Sequence, residues 1–569
     1  MGWFIGISGN SQPFKNQLKS LSSGHDFCAE SKSFYLAGGG IPETTHFHKD
    51  APSNSGWIAS GVGISAGENP KLFSQSDWKQ VIQNEAGYFH QLNGHFAICR
   101  WNEEQAELIT DQLGMRNVFI HKGDDFVLFS TRLDWIKKLI PDTSLNWERF
   151  GSRWLTINQF SQESFIHGIE PLSQSGYATI NSRGVNISNK RWNYGHREVT
   201  SQNYLDSLSS FSTLPLKSGF PVSLGLSGGL DSRTLFAILL QQPKSNWTTH
   251  TFGEENHPDL KTATLLSHLY DKTHYVFHES VPEAKDIEEF LPDFIGQTAL
   301  TSTPSHYVGF QAYRKIQELG LAVIDGGFGE IARRRFMNNL LLRARKALIN
   351  KDVSALIPFI RLQRADIFTQ ECNSAMIFGL KEELQQEINA MPDIANIGIE
   401  NWLDLFSVRT RVPNAAGPEQ ARSDSELLNY MPFLQPVLIE LALNLPLKDR
   451  KNARVFRSFI KTNAHELQTE PLIKGNYSYP YWMKDYTSAV WMRIKNKLGM
   501  KYESSQTIDF LVTIEEYVRD LHGSQSVKEF PAYEHTKINQ LITGFYDDKN
   551  YDLAHQLNWW LAFEVFRRL

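Results

Sequence analysis

The stretch Leu224-Gly-Leu-Ser-Gly-Gly-Leu-Asp-Ser-Arg233 carries the strongest structural signal in the sequence. An apolar segment that starts at Pro221 is typical of a buried strand, and a second apolar segment, from Ser232 to Gln241, predicts a helix. The two adjacent glycines between them let the backbone approach an anion closely, while the start of a helix presents unpaired N–H groups. The stretch therefore predicts a phosphate-binding turn between a strand and a helix.

The side chains of this turn narrow the predicted ligand to a metal-bound polyphosphate. Ser227 and Ser232 can add hydroxyl donors to the backbone donors of Gly228 and Gly229. Asp231 would repel a phosphate unless it holds a divalent cation, for which Mg²⁺ is the usual choice. The alternative is a plain strand–turn–helix with a serine cap, because Gly-Gly turns are common. The sequence does not contain a Walker A pattern.

The first part of the chain, 1–195, predicts a sandwich of antiparallel strands with helices packed against it. Short apolar stretches alternate there with Gly, Asn and Asp turn signals. Asp124-Asp125 predicts the tip of a hairpin, and residues 132–139 predict a short amphipathic helix. The strands expected in this part include residues 57–64, 94–100, 106–110, 118–121 and 126–130.

The second part, 196–569, predicts a parallel doubly wound sheet followed by helices. Strands and helices alternate after Ser201, which is typical of parallel sheets with crossover helices. Beyond Arg333, helical patterns dominate to the end of the sequence. The strands expected here are residues 221–226, 248–253, 274–278 and 321–324.

Composition and charge exclude several functional classes. In 569 residues, 57 Lys and Arg against 62 Asp and Glu give a net charge of -5, which offers no basic surface for nucleic acid. Apolar runs are too short to cross a membrane and the start lacks the features of a signal peptide, so we expect a cytoplasmic protein. The three cysteines and the histidines lack the spacing of a disulfide framework or a zinc site.

Several stretches, in order, resemble the asparagine-synthetase family, which includes β-lactam synthetases and lasso-peptide cyclases. The motif SGGLDS at residues 227–232 is the pyrophosphate loop of such enzymes, which cleave ATP between its α and β phosphates. Further matching stretches are Thr251-Phe-Gly253, Thr301-Ser-Thr-Pro304, residues 318–330 and Met431-Pro-Phe-Leu434. The resemblance implies a parallel α/β ATP-pyrophosphatase domain with a helical extension.

This resemblance implies ATP and Mg²⁺ as ligands and assigns residues to them. Asp231 and Glu330 are the implied metal ligands. Lys474 matches the family's lysine that balances charge at the α-phosphate and pyrophosphate, with Lys461 and Lys451 as rivals. The residues implied to bind ATP and pyrophosphate are Leu224, Ser227, Gly228, Gly229, Asp231, Ser232, Phe252, Gly253, Gly326 and Gly327.

The second half also departs from the family pattern. In the loop Asp325–Glu330, Phe328 replaces a glycine and Glu330 replaces an aspartate, and a plain glycine-rich turn is the alternative interpretation. The run Arg333-Arg-Arg335 could bind an anionic substrate, but a solvated face is the favoured interpretation. Three family residues near the acceptor are replaced, which argues against aspartate as substrate: Leu428, Tyr430 and Gln435 stand there.

The first half resembles the family's N-terminal domain, an N-terminal-nucleophile fold of the class-II glutamine amidotransferase kind. The matching stretches are Leu92-Asn-Gly-His-Phe-Ala-Ile98, Thr110-Asp-Gln-Leu-Gly114 and Phe129-Ser-Thr-Arg-Leu-Asp134. Glutaminases of this type attack with a cysteine directly after the initiator Met, whereas this chain has Gly2, which carries no nucleophile. We therefore expect an inactive domain that is kept as a scaffold.

Together these features predict an AMP-forming, ATP-dependent amide ligase of a specialised peptide or polysaccharide pathway. It would activate a carboxylate as its adenylate and join it to ammonia or an amine. The alternative is a degenerate synthetase that binds nucleotide and acts as a binding or regulatory protein. The expected partners are a small-molecule or peptide carboxylate and a nitrogen donor, not nucleic acid or a membrane. A partner protein that delivers the substrate and a homodimer remain open.

Overall fold

The structure, a computed structural model, describes the chain apart from residues 1, 51–52, 68, 141–142, 182, 243–246, 335, 363 and 501. It is a mixed α/β protein in which two antiparallel sheets precede one parallel sheet. A separate two-stranded antiparallel hairpin lies in the second half of the chain. No helix in the described part of the chain is long and apolar enough to cross a membrane.

The first half forms two six-stranded antiparallel sheets that pack face to face. Their strands are β1 (Trp3–Gly9), β2 (Phe27–Glu30), β3 (Phe34–Gly39), β4 (Thr45–Asp50), β5 (Ser55–Ile64), β6 (Asn93–Trp101), β7 (Gln105–Thr110), β8 (Val118–Lys122), β9 (Phe126–Ser130), β10 (Ile169–Leu172), β11 (Tyr177–Asn181) and β12 (Gly184–Ser188). The strand orders are β10-β8-β9-β1-β3-β2 and β12-β11-β7-β6-β5-β4. Buried side chains from both sheets, such as Phe4, Ile58 and Phe129, form one apolar cluster between them.

The strands predicted in the first half are confirmed, because alternating apolar residues face the layer between the sheets. Strands β8 and β9 pair around Asp124-Asp125, as predicted for a hairpin tip. The predicted helix at residues 132–139 is also confirmed. The helices of this half are α1 (Lys15–Leu21), α2 (Gln75–Val81), α3 (Ala86–Phe89), α4 (Leu133–Leu139) and α5 (Trp147–Leu155).

The second half contains the predicted parallel sheet, in the order β15-β14-β13-β16-β17. Its strands are β13 (Val222–Gly225), β14 (Trp247–Gly253), β15 (His274–His278), β16 (Ala322–Ile324) and β17 (Asn429–Tyr430). The helices between them are α6 (Ser201–Ser212), α7 (Leu214–Lys217), α8 (Leu230–Leu239), α9 (Pro258–His268), α10 (Ala284–Gly296) and α11 (Tyr307–Glu318). The strand order reverses between β13 and β16, and ligands of open α/β sheets bind in the crevice at such a point.

Helices dominate the remainder of the chain, as predicted, and a few short strands lie among them. Strand β17 and the hairpin of β18 (Leu472–Lys474) and β19 (Tyr477–Tyr479) lie among them, too short for a periodic signal. The helices are α12 (Asn338–Arg343), α13 (Arg345–Ile349), α14 (Val353–Ile360), α15 (Gln370–Ala390), α16 (Ile394–Arg411), α17 (Gly417–Ser423), α18 (Pro436–Asn444), α19 (Leu447–Arg450), α20 (Arg454–Asn463), α21 (Asp485–Lys497), α22 (Gln506–Thr513), α23 (Glu515–Gly523), α24 (Gln525–Lys528), α25 (His535–Tyr546) and α26 (Ala554–Arg568).

The two halves share a continuous apolar core that runs from Ile5 to Phe566. Helices α5 and α15 cross closely because each has a glycine at the crossing. A Cβ atom on Gly151 would lie 2.1 Å from the carbonyl oxygen of Met376, and one on Gly379 would lie 2.0 Å from that of Glu148. The predicted boundary near residue 195 lies between β12 and α6, in a stretch without helix or strand.

Candidate active site

A cleft of about 1730 Å³, including its open mouth, lies at the carboxyl edge of the parallel sheet. The two glycine-rich loops border it, because the first follows β13 and the second follows β16, on either side of the reversal in strand order. The residues predicted to bind ATP and pyrophosphate line the cleft, except Leu224, Gly228 and Gly253. Leu224 is buried inside β13, and its side chain belongs to the core.

The first loop, Ser227–Ser232, holds its shape through its own hydroxyl groups. The backbone N–H of Ser227 donates to Oγ of Ser232 at 3.2 Å, and that of Gly229 donates to Oγ of Ser227 at 3.1 Å. The two hydroxyl oxygens are 2.9 Å apart. Helix α8 begins at Leu230, two residues before the predicted start, so Asp231 lies in its first turn. The loop is a compact turn at a helix N-terminus, the usual setting for an anion.

The motif implies that Gly228 binds phosphate, but in the structure Gly228 contacts protein groups. Its N–H donates to Oδ1 of Asp259 at 2.7 Å, and its carbonyl accepts the N–H of Ile473 at 2.9 Å. A Cβ atom at Gly228 would lie 2.2 Å from the Ile473 side chain. The glycine is therefore needed so that the hairpin β18–β19 can pack directly on the first loop. This packing brings Lys474, the residue after Ile473, to the cleft.

Arg233, which the sequence analysis did not single out, fastens the same hairpin. It is fully buried, and its guanidinium donates to the carbonyl oxygens of Leu467, Glu470, Gly228 and Pro471. Burial lowers the pKa of Arg233 to about 10, which still leaves it charged at neutral pH. The sequence did contain a signal for this role, because a charged residue within a mainly apolar predicted helix needs a partner when it is buried.

The second loop, Asp325–Glu330, packs tightly against the first. A Cβ atom on Gly326 would lie 3.1 Å from the N of Ser232, and one on Gly329 would lie 2.3 Å from Cγ of Asp231. Asp325 accepts the N–H of Gly327 at 2.7 Å, and burial raises the pKa of its carboxyl. The glycines of this loop thus allow contact between the two loops.

Phe328 has a left-handed backbone, with φ of 68°, in the middle of the second loop. This conformation favours glycine, the residue that the resembling family has there, and it is uncommon for a bulky side chain. The ring of Phe328 packs 5.7 Å from that of Phe336, which offsets part of the strain. Strained backbone of this kind clusters at functional sites, where the surrounding structure holds it in place.

Arg333 lies between the two predicted metal ligands. Its guanidinium forms an ion pair with Asp231 and lies 3.9 Å from the carboxylate of Glu330, and only 14% of its side chain is exposed. The interpretation of residues 333–335 as a solvated face is therefore wrong for Arg333. It is also wrong for Arg334, which is buried 3.2 Å from Asp404. Arg335 lies outside the described residues.

Asp231 and Glu330 are the two carboxylates of the cleft that were predicted to hold Mg²⁺. Among the described residues, no group of three His, Cys, Asp or Glu side chains is placed to hold a metal by itself. Mg²⁺ usually takes one or two carboxylates and completes its shell with phosphate oxygens and water, so this donor pair fits the ion. Arg333 competes for the same carboxylates.

The other end of the cleft is lined by aromatic rings at the end of β14. Phe252 is 37% exposed, and its ring is stacked with that of His250 at 6.4 Å. Burial lowers the pKa of His250 to about 3, so the ring is neutral, and Nδ1 lies 2.8 Å from Oγ of Ser223. Gly253 follows Phe252 but does not line the cleft. This end offers a flat apolar surface that suits a purine ring.

Gly2 stands where glutaminases of the resembling type have their nucleophile. It is far in sequence from the residues of this cleft, and neighbouring atoms fill the space around it. It is buried, its N–H donates to Oγ1 of Thr44 at 3.2 Å, and its carbonyl accepts the hydroxyl of Ser60. A Cβ atom here would lie 2.2 Å from the carbonyl oxygen of Thr44 and 2.7 Å from Oγ1 of Thr45. A cysteine does not fit at this position unless its neighbours move.

No protein-family model matches this chain, and no curated protein matches it significantly. Solved structures show distant likeness. Glutamine phosphoribosylpyrophosphate amidotransferase from B. subtilis, complexed with ADP and GMP, is 11% identical, with 57% of this chain and 81% of that chain covered and a TM-score of 0.23. An allosteric regulatory enzyme of purine biosynthesis is 10% identical over 49% and 75%, with a TM-score of 0.22. Glutamine-dependent NAD+ synthetase from Acinetobacter baumannii, complexed with ADP, is 17% identical over 26% and 30%, with a TM-score of 0.18. These likenesses are too weak to argue from.

Proposed function

We propose that the chain is an AMP-forming, ATP-dependent amide ligase, similar to asparagine synthetase, that acts in a specialised peptide or polysaccharide pathway. One observation carries this proposal: the two glycine-rich loops and Lys474 border a single cleft at the carboxyl edge of the parallel sheet. They come from parts of the chain about 100 and 150 residues apart, and only the fold brings them together. The geometry supports a polyphosphate between the loops.

In the proposed reaction, a carboxylate oxygen attacks the α-phosphorus of ATP and pyrophosphate leaves. Ser227 and Ser232 donate to phosphate oxygens, and the first turn of α8 favours their negative charge. Lys474 balances the charge that grows on the α-phosphate and the leaving pyrophosphate. Ammonia or an amine then attacks the acyl carbon, forms the amide bond and releases AMP.

Asp231 and Glu330 would hold Mg²⁺ when the metal enters with the nucleotide. The ion would supply positive charge to the β- and γ-phosphates. Arg333 would then release Asp231, and its guanidinium would pair with phosphate oxygens instead. Before nucleotide and metal bind, Arg333 thus balances the negative charges of Asp231 and Glu330.

The nitrogen donor in this proposal does not come from glutamine hydrolysis at the N-terminal domain. Thr44, Thr45 and Ser60 surround Gly2 closely, and Gly2 itself carries no nucleophile. We infer that the first half is an inactive N-terminal-nucleophile domain. Free ammonia or an amine of the substrate is then the acceptor.

A second candidate is a degenerate synthetase that binds nucleotide without turnover. The ion pair between Asp231 and Arg333 favours it, because a guanidinium in the metal position could replace Mg²⁺ permanently. The strained Phe328 in the second loop points the same way. Turnover separates the two candidates.

The first experiment is exchange of labelled pyrophosphate into ATP with Mg²⁺ and pools of amino acids, peptides and sugar acids. A ligase exchanges only when one pool supplies its carboxylate. Asp231→Asn keeps the shape of the loop but removes the carboxylate charge, so exchange is expected to stop. Asp271→Asn, at an exposed turn, is the matched control. ATP binding without exchange in any pool would favour the degenerate binding protein.

A further inference from the structure

A second chamber opens beside the nucleotide cleft. It has about 1070 Å³ of space including its mouth, and it shares Phe252, Tyr313, Asp325 and Arg411 with the cleft as a common wall. The remainder of its lining comes from α11, from the segment around residues 415–423, and from Glu279, His306, Phe328, Asn429, Met431 and Gln506. A molecule in this chamber would therefore meet a nucleotide in the cleft at the shared wall.

Arg411 stands at that shared wall, where burial lowers the pKa of its guanidinium and the charge of Glu330 partly offsets this effect. It is the last residue of α16, directly before the π-helical turn Val412–Ala416, and such turns are frequent at functional sites. Its guanidinium lies 5.7 Å and 5.3 Å from the rings of Phe328 and Phe336. It forms no hydrogen bond or ion pair with any residue that the structure describes. A partly buried guanidinium in this state attracts an anionic ligand.

The ligand of Arg411 is better described as a carboxylate than as a phosphate. The two glycine-rich loops already offer backbone and hydroxyl donors to the phosphates at the other side of the shared wall. A guanidinium presents a planar fork, which matches a carboxylate in a bidentate contact. A carboxylate at this point would also lie next to the α-phosphate.

The walls of the chamber are mainly apolar and aromatic. Phe252, Phe310, Tyr313 and Phe328 line it together with Ala415, Ala416 and Met431. Tyr313 is buried, and burial raises the pKa of its hydroxyl, so this ring stays neutral. Polar side chains from the segment around residues 415–423 and from Asn429 also line the chamber, but its walls expose more apolar than polar surface. They suit a carboxylic acid with an apolar or aromatic body.

Glu279 supplies a negative charge elsewhere in the lining. It lies over Gly309, where a Cβ atom would come within 2.6 Å of its Oε1. It accepts a hydrogen bond from the neutral amide of Gln506, whereas Glu419 forms an ion pair with Arg422. Asp325, the third carboxylate of the lining, accepts the N–H of Gly327. Burial raises the pKa of Glu279, and a cationic amine in the chamber would favour its charged form.

We propose that the second chamber binds the acid that is activated, and that this acid has an apolar or aromatic body and carries an amine. Its carboxylate binds Arg411, its body packs on the aromatic walls, and its ammonium group faces Glu279. The inference rests on the proposed function, because only adenylation requires the carboxylate beside ATP. It adds the chemical class of the substrate.

The test is pyrophosphate exchange with matched acids: phenylalanine and other aromatic amino acids, their deaminated analogues, aspartate and glucuronate. Exchange is expected with aromatic amino acids, at least about tenfold faster than with aspartate or glucuronate. Arg411→Met is expected to raise KM for the acid about tenfold or more while KM for ATP stays within about twofold. Arg343→Met removes an exposed guanidinium that also lies over a phenylalanine ring, outside both cavities, and should match the wild type.

Glu279→Gln tests the amine separately. The variant is expected to lose the preference for the amine-bearing acid over its deaminated analogue, because only the negative charge changes; Glu289→Gln, on exposed α10 surface, should keep it. Exchange with sugar acids or aspartate, with an Arg411→Met enzyme that behaves as wild type, would overturn this inference and leave the ligase proposal standing. Absence of exchange with every acid, with ATP binding intact, would overturn both.

Discussion

The site around Gly2 and the cleft around Asp231 differ in the space and charge that they offer. At Gly2, a Cβ atom would lie 2.2 Å from the carbonyl oxygen of Thr44 and 2.7 Å from Oγ1 of Thr45, so the space for a side chain is already occupied. The cleft is open and lined by both signs of charge, with Lys474 and Arg333 near Asp231 and Glu330. A filled site cannot admit a substrate, whereas the open one can bind a charged ligand. This difference supports the proposal that the ligand binds in the second half of the chain.

Replacing Lys474 should have the largest effect on that chemistry. Lys474→Met is expected to lower the exchange rate by about 10²- to 10³-fold, the usual result of removing one group that stabilises transition-state charge. KM for ATP should change much less. Lys461→Met, on the exposed side of α20, is the matched control and should exchange at the wild-type rate. Equal rates for both variants would remove Lys474 from the mechanism.

The sequence predicted the cleft better than it predicted the contacts inside it. The strand, the glycine-rich turn and the helix at residues 221–241 depend on local signals, and the structure confirms them with shifts of one or two residues. The tasks of Gly228, Arg233 and Asp259 depend on the hairpin β18–β19, which is too short to have a periodic pattern. Arg333 was misjudged because its partner, Asp231, is 102 residues away in the chain.

Glu383 lies at the contact between the two halves of the chain, and its titration makes the stability of the protein depend on pH. It lies on α15, is fully buried, and accepts hydrogen bonds from Ser152 and Ser161 of the first half. Burial raises the pKa of its carboxyl from 4.5 to about 7, against the effect of these two hydroxyls. The folded protein therefore binds this proton more tightly than the unfolded chain does.

The contribution of Glu383 to the free energy of unfolding is fully present below pH 4.5 and falls as the pH rises to about 7. The loss is on the order of 3 kcal/mol at most. Urea unfolding at pH 5 and pH 8 measures it, and Glu383→Gln should show a smaller difference than the wild type. Glu382→Gln, its exposed neighbour, should keep the full difference. The same change in stability between pH 5 and pH 8 in the wild type and in Glu383→Gln would contradict the account.

The Gly2→Cys variant tests whether the site around Gly2 can accommodate a cysteine nucleophile. The variant should lose about 1 to 3 kcal/mol of stability from overpacking and should release no glutamate from glutamine. Gly24→Cys is the control, since a Cβ atom there meets nothing within 4 Å. Glutamine hydrolysis by Gly2→Cys would show that only the nucleophile is missing and that the comparison between the two sites is wrong.

Gly228→Ala should disturb the cleft by moving the hairpin rather than by touching the ligand. Its Cβ would collide with Ile473, so Lys474 would shift and the exchange rate would fall about tenfold, with the fold kept. Gly523→Ala, where a Cβ atom meets nothing within 4 Å, is the control. Full activity of Gly228→Ala would mean that the hairpin is not held in place by this contact.

The transfer of oxygen-18 from a labelled carboxylate to AMP tests the central claim most directly. A carboxylate that attacks the α-phosphate leaves one of its oxygens on AMP when the amide bond forms. The account predicts AMP that carries one labelled oxygen for each amide made, with pyrophosphate as the other product. Unlabelled AMP, or ADP and phosphate in place of AMP and pyrophosphate, would contradict it.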